Sequence, residues 1–302
     1  MRCVATAAVV ALASTGAGST EPPQPLARTL APPPPFGHAL RSEFLFDPNT
    51  TNFNHGSYGG TPASVLEKQF EHIKYIEGFI ITRIAGTWYR DKLLAVRKRI
   101  AAYIGAPWED TVLVDNASNA LNVLLNMWKF ADDEVLLDFS TAYSNFQSTY
   151  KWVHAARNVS TVTVPFTFPL KGPEVIVDSL RATLKQLKAN NTRVGVAIIS
   201  QVSSWPAILL PVSELVEVLR EEGVPAIVDG AHALGATPVD LKALGSPAFW
   251  FGNGHKYVRS SHPPACLVPR PSDLLNSLLT TCPPALPLPT SRARLISLDR
   301  CQ

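Results

Sequence analysis

The sequence has no strong excess of charge, no membrane-length apolar run and no clustered cysteines. Its 27 Lys and Arg residues nearly balance its 24 Asp and Glu residues, so neither nucleic acid nor an anionic membrane is indicated as the main partner. Without an apolar run of about 20 residues, the sequence predicts no membrane span. The four cysteines are scattered without the spacing of metal ligands, so we interpret Cys3, Cys266, Cys282 and Cys301 as free thiols and predict no metal site.

The two ends of the chain differ in composition from its centre. Residues 1–20 begin with a single basic residue and an apolar stretch, a pattern similar to a weak secretory signal. Residues 21–36 contain seven prolines, which fix φ and remove backbone donors, so we predict a disordered leader over 1–36. Residues 269–302 are again rich in proline and lack sustained periodicity, which predicts an irregular tail. The predicted domain therefore covers residues 37–268.

Apolar segments of this domain alternate with helical patterns. The predicted strands begin at Thr111, Glu134, Val159, Val194, Ala226, Phe249 and Ala265. Such alternation is typical of α/β domains, so we predict a mainly parallel seven-stranded sheet with helices on both faces. Two helices, from Thr61 to Gly78 and from Trp88 to Ile104, are predicted to precede the sheet. Each has an apolar stripe, and that of the second helix, Leu93, Val96, Ile100 and Ile104, is predicted to face inward.

An acid and an amine follow two neighbouring predicted strands. Asp229 is the first charge after the strand that begins at Ala226, and Lys256 follows the next apolar run. Open α/β sheets bind ligands outside the carboxyl ends of their strands, so we expect this pair to lie in a binding site. The alternative is that the two residues only cap their strands.

A turn of small residues opens the helix after the first predicted strand. Residues 115–120 read Asp-Asn-Ala-Ser-Asn-Ala. Bare N–H groups and the positive end of the helix dipole converge at such a turn, which favours a bound phosphate group. An ordinary N-capped helix is the alternative.

Three motifs carry a resemblance to a known family. The strand-Asp229-Gly-Ala-His232 motif, followed by Gly-Asn253-x-His255-Lys256-aromatic, resembles the pyridoxal-phosphate signature of the class V aminotransferase family. Within that family the motifs are similar to the branch of isopenicillin N epimerase and of carbon–sulfur lyases such as hercynylcysteine sulfoxide lyase. The segment 53–59, Phe-Asn-His-Gly-Ser-Tyr-Gly, resembles the substrate-side loop of that branch, and the small-residue turn resembles its phosphate loop.

The resemblance implies a fold type I large domain that binds pyridoxal 5'-phosphate. Lys256 would hold the cofactor as a Schiff base and act as the proton base. Asp229 would pair with the pyridine nitrogen, so that the ring can accept electrons. His232 would lie near the phenolic oxygen of the ring, and Asn253 or His255 would assist at the phosphate.

The resemblance also implies further contacts. It assigns cofactor binding to Ala117, Ser118, Asn119, Tyr143, Ser203 and Ser204, and the substrate side to Asn54, His55 and Gly56. Tyr143 would stack on the cofactor face, although a loop tyrosine is otherwise usually a packing residue. Gln201 stands where the family usually has histidine, which puts one family hydrogen bond in doubt.

The activity implied by the resemblance is chemistry on an amino acid. We predict a carbon–sulfur lyase that acts on a cysteine derivative. An aminotransferase or an epimerase of the same family is the alternative, because these reactions share removal of the α-proton. The family also implies a homodimer and a cytoplasmic location, with secretion as the alternative because of the signal-like start.

The resemblance stops after Val268. Relatives continue into a small α/β domain that usually carries the arginine for the substrate carboxylate, so the resemblance implies a truncated C-terminal domain. A further alternative is therefore a cofactor-binding remnant with little or no turnover.

Overall fold

The computed structural model describes residues 34–261 and 265–269. The predicted leader, apart from residues 34–36, and the predicted tail, apart from residue 269, lie outside the described residues. The chain divides into two compact units, Met1–Arg41 and Ser42–Gln302. Within the described ranges, no helix is both long and apolar enough to cross a membrane.

The described elements follow the predicted order of helices and strands. A short 3-10 helix covers His38–Glu43. The α-helices are α1 (Ala63–Glu77), α2 (Ile80–Ala85), α3 (Thr87–Tyr103), α4 (Ala117–Met127), α5 (Ser144–Arg157), α6 (Glu174–Ala189) and α7 (Val212–Glu221). The strands are β1 (Val112–Val114), β2 (Glu134–Phe139), β3 (Thr161–Val164), β4 (Arg193–Ser200), β5 (Ala226–Asp229), β6 (Phe249–Asn253) and β7 (Ala265–Pro269).

The strands form one sheet in the order β1-β7-β6-β5-β4-β2-β3. The five strands from β6 to β3 in this order are mutually parallel, whereas β7 pairs antiparallel with both β6 and β1. The prediction of a mainly parallel seven-stranded sheet is confirmed for the described residues. β3 is an edge strand, and β5 lies near the centre.

Both faces of the sheet carry a hydrophobic core. Helices α4 and α5 pack on one face through side chains such as Leu121, Leu125 and Phe146. Helices α6 and α7 pack on the other face through side chains such as Leu180 and Leu215. Burying one side chain of this kind stabilises the fold by about 1.5–3 kcal/mol. These two helix pairs are the helices that were predicted to cover both faces of the sheet.

Helices α1 to α3 differ from the prediction. The short helix α2 was not predicted, and Leu93 and Val96, which were expected to face inward on α3, are 40% and 44% exposed. Tyr75 and Trp88 pack against each other at 4.7 Å between ring centroids, and the Arg83 guanidinium lies over the Tyr75 ring. These helices therefore pack on one another and leave a helical apolar face, formed by Phe70, Ile73, Phe79, Ile80, Ile81, Ile84, Tyr89, Leu93, Val96 and Tyr103.

The parallel strands bring three chain segments to one edge of the sheet. Ser200 at the end of β4 pairs with Asp229 at the end of β5, and Asp229 pairs with Phe251 of β6. The N-terminus of α4 reaches the same edge, because the Ala117 N–H donates to Asn253 Oδ1 at 2.9 Å. This edge is where the predicted site residues were expected.

Candidate active site

A cavity of about 520 Å³ opens at the carboxyl ends of β4, β5 and β6. Its volume lies in the range typical of small-molecule sites. The predicted residues on its wall are Gly56, Ala117, Ser118, Tyr143, Ser204, Asp229, His232, Asn253, His255 and Lys256. The folding of the chain thus brings together residues from six separate segments.

Asp229 ends the buried strand β5 and is 5% exposed. Its Oδ1 atom accepts a hydrogen bond from the Ala231 N–H at 2.9 Å. Burial raises the pKa of Asp229 to about 6, while the Ala231 hydrogen bond and the charge of Lys256 oppose this rise. A cationic partner beside this carboxyl would lower the pKa of Asp229 and favour the ionised form.

Lys256 follows strand β6 and is 8% exposed. Burial lowers the pKa of its amine below the ordinary lysine value, and the nearby Asp229 opposes the shift. A larger fraction of the amine is therefore unprotonated near neutral pH than in an exposed lysine. An unprotonated amine is a nucleophile and a base.

His232 links Lys256 to the segment 53–59. Its Nε2 atom lies 2.8 Å from Lys256 Nζ and 2.9 Å from the Gly56 carbonyl oxygen. If Nε2 carries a hydrogen, it can donate to the Gly56 carbonyl oxygen, and a protonated Lys256 amine then finds no acceptor on this nitrogen. If Nε2 carries none, it accepts from the Lys256 amine, and the Gly56 carbonyl oxygen receives no hydrogen bond from the imidazole. The tautomer thus decides which of the two neighbours His232 binds.

Burial lowers the pKa of His232 as well, and the charge of Lys256 lowers it further. The backbone oxygens of Gly56 and Val202 act in the opposite direction. The net direction favours a neutral imidazole at neutral pH. Burial thus favours the neutral form of both nitrogen bases, which lie side by side in the cavity.

The start of α4 offers a site for an anion. The Asn116 side chain accepts from the Asn119 N–H at 2.8 Å, and Asn253 accepts from the Ala117 N–H. Among the described residues, the N–H of Ser118 has no protein acceptor, and Ser118 lies on the cavity wall. The Ser118 N–H and hydroxyl are thus the donors that remain free for an anion at this helix start.

Tyr143 lies on the cavity wall next to α5. Its ring meets Phe146 edge-on at 5.5 Å between centroids, and its hydroxyl accepts from the Asn145 side chain at 3.2 Å. Phe146 is buried, so the Tyr143 ring has a fixed support. This geometry is compatible with the predicted stacking role, which stays a prediction.

Four predicted residues lie outside the cavity wall: Asn54, His55, Asn119 and Ser203. The Asn119 N–H is used by the Asn116 cap. The Ser203 hydroxyl donates to the Pro206 carbonyl and accepts from the Ile208 N–H. Asn54 and His55 accept from the N–H groups of Ser57 and Gly60. Their hydrogen bonds hold the local loops, and their predicted ligand contacts stay predictions.

Sequence reasoning missed several residues of the wall. They are Ser57, Tyr58, Asp115, Asn116, Asn145, Phe146, Ser200, Val202 and Ala231. Ser200 could have been found as the last residue of a strand next to the Asp229 strand, and Asn116 as the cap of the phosphate turn. Tyr58 stacks on His255 with ring centroids 6.3 Å apart, a contact that no local pattern indicates.

Gln201 departs from the family pattern and points away from the cavity. Its Oε1 atom accepts from the Trp250 indole N–H at 3.0 Å inside the core. The Trp250 ring also packs against Gly230, where an added Cβ would lie 2.2 Å from the indole. Gln201 thus supports the strand end that carries Asp229 from the opposite side of the sheet.

Comparison with known proteins agrees with this geometry. The sequence profile described as "Aminotransferase class-V" matches residues 84–260. L-cysteine desulfhydrase of Arabidopsis thaliana is 35% identical over 232 residues, which cover 72% of this chain and 50% of the relative. Hercynylcysteine sulfoxide lyase of Schizosaccharomyces pombe is 25% identical, over 77% of this chain and 57% of the relative. Isopenicillin N epimerase of Amycolatopsis lactamdurans is 28% identical, over 72% and 53%.

Solved structures show the same fold. The cystine C-S lyase C-DES in complex with cysteine persulfide has a TM-score of 0.65 at 20% identity, over 74% of this chain and 58% of that one. Cysteine desulfurase from Thermococcus onnurineus NA1 has a TM-score of 0.58 at 19% identity, over 73% and 54%. The chain spans about half the length of the relatives it matches. The profile match over more than half of the sequence shows that the chain belongs to the aminotransferase class-V family.

Proposed function

We propose that this chain binds pyridoxal 5'-phosphate in the cavity and acts as a carbon–sulfur lyase on a cysteine derivative. The observation that carries the proposal is the convergence of a buried amine, Lys256, and a buried acid, Asp229, beside the N-terminus of α4. The relatives named L-cysteine desulfhydrase support the choice of reaction. Enzymes of this family depend on pyridoxal phosphate.

The donor set of the cavity fits this cofactor. Lys256 offers an amine of lowered pKa for the aldehyde, and Asp229 offers an acid for the ring nitrogen. Ser118 offers an N–H and a hydroxyl to the phosphate at the positive end of α4. The bound cofactor supplies an electron sink for the substrate.

Lys256 is the residue that moves the substrate proton. The α C–H bond of the amino acid would break with its proton going to Lys256 Nζ. The electron pair left on Cα would form the Cα=Cβ double bond as the Cβ–S bond breaks, and the sulfur would leave as a thiolate. Lys256 accepts a proton only when it is unprotonated, and burial favours that state. His232, with Nε2 2.8 Å from Nζ, positions the amine and can take or return a proton.

The second candidate is a domain that binds the cofactor but turns over amino acids weakly. One observation favours it: among the described residues, no arginine lies on the cavity wall. A bidentate arginine partner both neutralises a substrate carboxylate and aligns it. Loss of that alignment by about 1 Å can cost on the order of a hundredfold in rate.

We further propose that the chain forms a homodimer through the helical apolar face. Ile81 on this face is 76% exposed, and it is one of ten large apolar side chains between residues 70 and 103 that are exposed. Exposed apolar surface of this kind is typical of interaction sites. Light scattering after gel filtration is expected to give twice the chain mass. Ile81→Glu should shift the chain towards the monomer, whereas Leu209→Glu, at an exposed apolar position away from this face, should not. An unchanged mass for Ile81→Glu would contradict the dimer through this face.

The lyase proposal is tested by adding pyridoxal phosphate to the purified 302-residue chain. We expect a visible absorbance band, and borohydride reduction should fix the cofactor on Lys256, as located by peptide mass spectrometry. Lys256→Ala should abolish both signals, whereas the exposed Lys242→Ala should keep them. Sulfide release from L-cysteine supports the lyase, and labelling of Lys256 without sulfide supports the second candidate. A label elsewhere, or none, contradicts both.

A further inference from the structure

Helix α5 packs on the sheet through its buried residues Phe146, Tyr150 and Val153. Beside Tyr150, the exposed polar side chains of Gln147, Lys151 and His154 follow one stripe of the helix at the sheet edge. Opposite it, the sheet presents Asp138 on β2 and Thr161 and Thr163 on the edge strand β3. Between the two layers lies a cavity of about 370 Å³ lined by these side chains, which we name the edge pocket.

Two side chains of the edge pocket are buried without partners. Asp138 is 3% exposed and Tyr150 is 4% exposed. Within the described part of the chain, neither Asp138 Oδ1 nor the Tyr150 hydroxyl has a hydrogen-bond partner. Native proteins rarely leave such groups unpaired, because a buried polar atom without a partner costs stability. The pair therefore indicates a ligand that supplies the missing donor.

The carboxyl of Asp138 also has no cationic partner among the described ion pairs. Burial raises the pKa of Asp138 to about 6, and a hydrogen bond from the Thr163 side chain opposes the rise. Burial also raises the pKa of Tyr150 far above its usual value, so its hydroxyl stays protonated. An ammonium group satisfies both oxygens, since it donates up to three hydrogen bonds and pairs with the carboxylate charge.

The opposite charge lies on α5. Lys151 lines the same pocket, is exposed, and forms no ion pair within the described residues. His154 is held by its own loop, because its Nδ1 atom lies 3.3 Å from the Val159 carbonyl oxygen. The edge pocket therefore has a buried acid and an exposed ammonium on its wall. These two groups match a ligand that carries an ammonium and a carboxylate.

We propose that the edge pocket binds a free α-amino acid as its zwitterion, with the ligand ammonium on Asp138 and Tyr150 and the ligand carboxylate on Lys151. The edge pocket shares no wall residue with the candidate active site. The proposal therefore stands independently of the lyase function. The volume of the pocket suits a molecule of this size.

The test uses ligand-observed NMR on the full chain with L-alanine, L-serine and L-glutamine as probes. Propionate lacks the ammonium and ethylamine lacks the carboxylate, so these two compounds serve as ligand controls. We expect saturable binding of at least one amino acid and at least tenfold weaker binding of both controls. Asp138→Asn should weaken amino-acid binding at least tenfold, because it removes a charge-assisted contact.

One control variant separates the edge pocket from the active site. Lys256→Ala should leave the amino-acid affinity within about twofold; loss of binding in this variant would assign the signal to the active site and overturn the proposal. Lys151→Ala, an exposed change that tests the second contact, should weaken binding of the amino acid but not of ethylamine. Saturable binding of none of the three amino acids, or equal binding to the parent and Asp138→Asn, also overturns it.

Discussion

Gly59 is the position where a single methyl group should push the segment 53–59 away from the backbone of Lys256. The Gly59 N–H donates to the His255 carbonyl at 2.9 Å, directly beside Lys256. A Cβ at this position would lie 1.9 Å from the Lys256 carbonyl oxygen and 2.7 Å from that of His255. Both neighbours are backbone atoms, which cannot rotate away. Gly59→Ala must therefore displace either the segment 53–59 or the backbone of Lys256.

The size of the effect follows from these distances. The Cβ falls about 1.5 Å short of the 3.4 Å at which ordinary contact begins. Loss of the hydrogen bond to His255 should cost about 0.5–1.5 kcal/mol of stability. The Gly56 carbonyl moves with the same segment, so His232 loses its partner and Lys256 loses its alignment. Since misplacement of about 1 Å can cost on the order of a hundredfold in rate, we expect cofactor capture to slow by about 10-fold to 100-fold.

The assay is the rate at which borohydride fixes pyridoxal phosphate on Lys256, measured beside urea unfolding. Gly223→Ala is the matched control, because its Cβ would meet nothing within 4 Å but its φ of +71° is strained for alanine. That strain costs about 1–2 kcal/mol, so both variants lose similar stability. Only Gly59→Ala should lose capture rate. Equal capture rates in the two variants would refute the idea that close approach at Gly59 positions Lys256.

Three further outcomes are expected. Asp229→Ala should reduce α-proton exchange with solvent far more than cofactor capture, and exchange equal to that of the parent would exclude the electron-sink role. The rate at which Lys256 captures the cofactor should rise with pH, and the midpoint of this rise should lie below the ordinary lysine pKa of 10.5, because burial lowers the pKa of this amine. A midpoint at or above 10.5 would contradict an effect of burial on Lys256. Burial raises the pKa of Asp138 from 3.8 to about 6 in the folded chain, so its contribution to stability is complete below pH 3.8 and is lost as the pH rises through 6. Urea unfolding should therefore show Asp138→Asn to be more stable than the parent by up to about 3 kcal/mol at about pH 8. This difference should shrink towards about pH 4.

The sheet was predictable because buried parallel strands are continuous apolar runs. The segments Val-Ala-Ile-Ile in β4 and Ala-Ile-Val in β5 can be buried on both faces only in such a sheet. The meeting of Asp229 and Lys256 then followed from the rule that ligands bind at the carboxyl ends of strands. These predictions rest on local patterns and one general rule of topology.

Other features depended on contacts that no local pattern encodes. Asn119 was predicted to contact a phosphate, and its N–H donates instead to the Asn116 side chain in the same turn. The spacing on α3 predicted that Leu93 and Val96 face inward, yet both are exposed. Asp138 sits within a strand that otherwise reads as apolar, so its unpaired oxygen became visible only once α5 was placed above it.

The contact between Gly230, Trp250 and Gln201 limits how this domain can be altered or can diverge. An alanine at 230 would clash with the indole unless Trp250 became smaller, and a smaller residue at 250 would leave the Gln201 amide buried without its donor. Single changes at these positions therefore pass through destabilised intermediates, whereas a concerted change need not. The three residues are therefore expected to change together, and a graft of the Asp229 strand onto a related scaffold should carry all three.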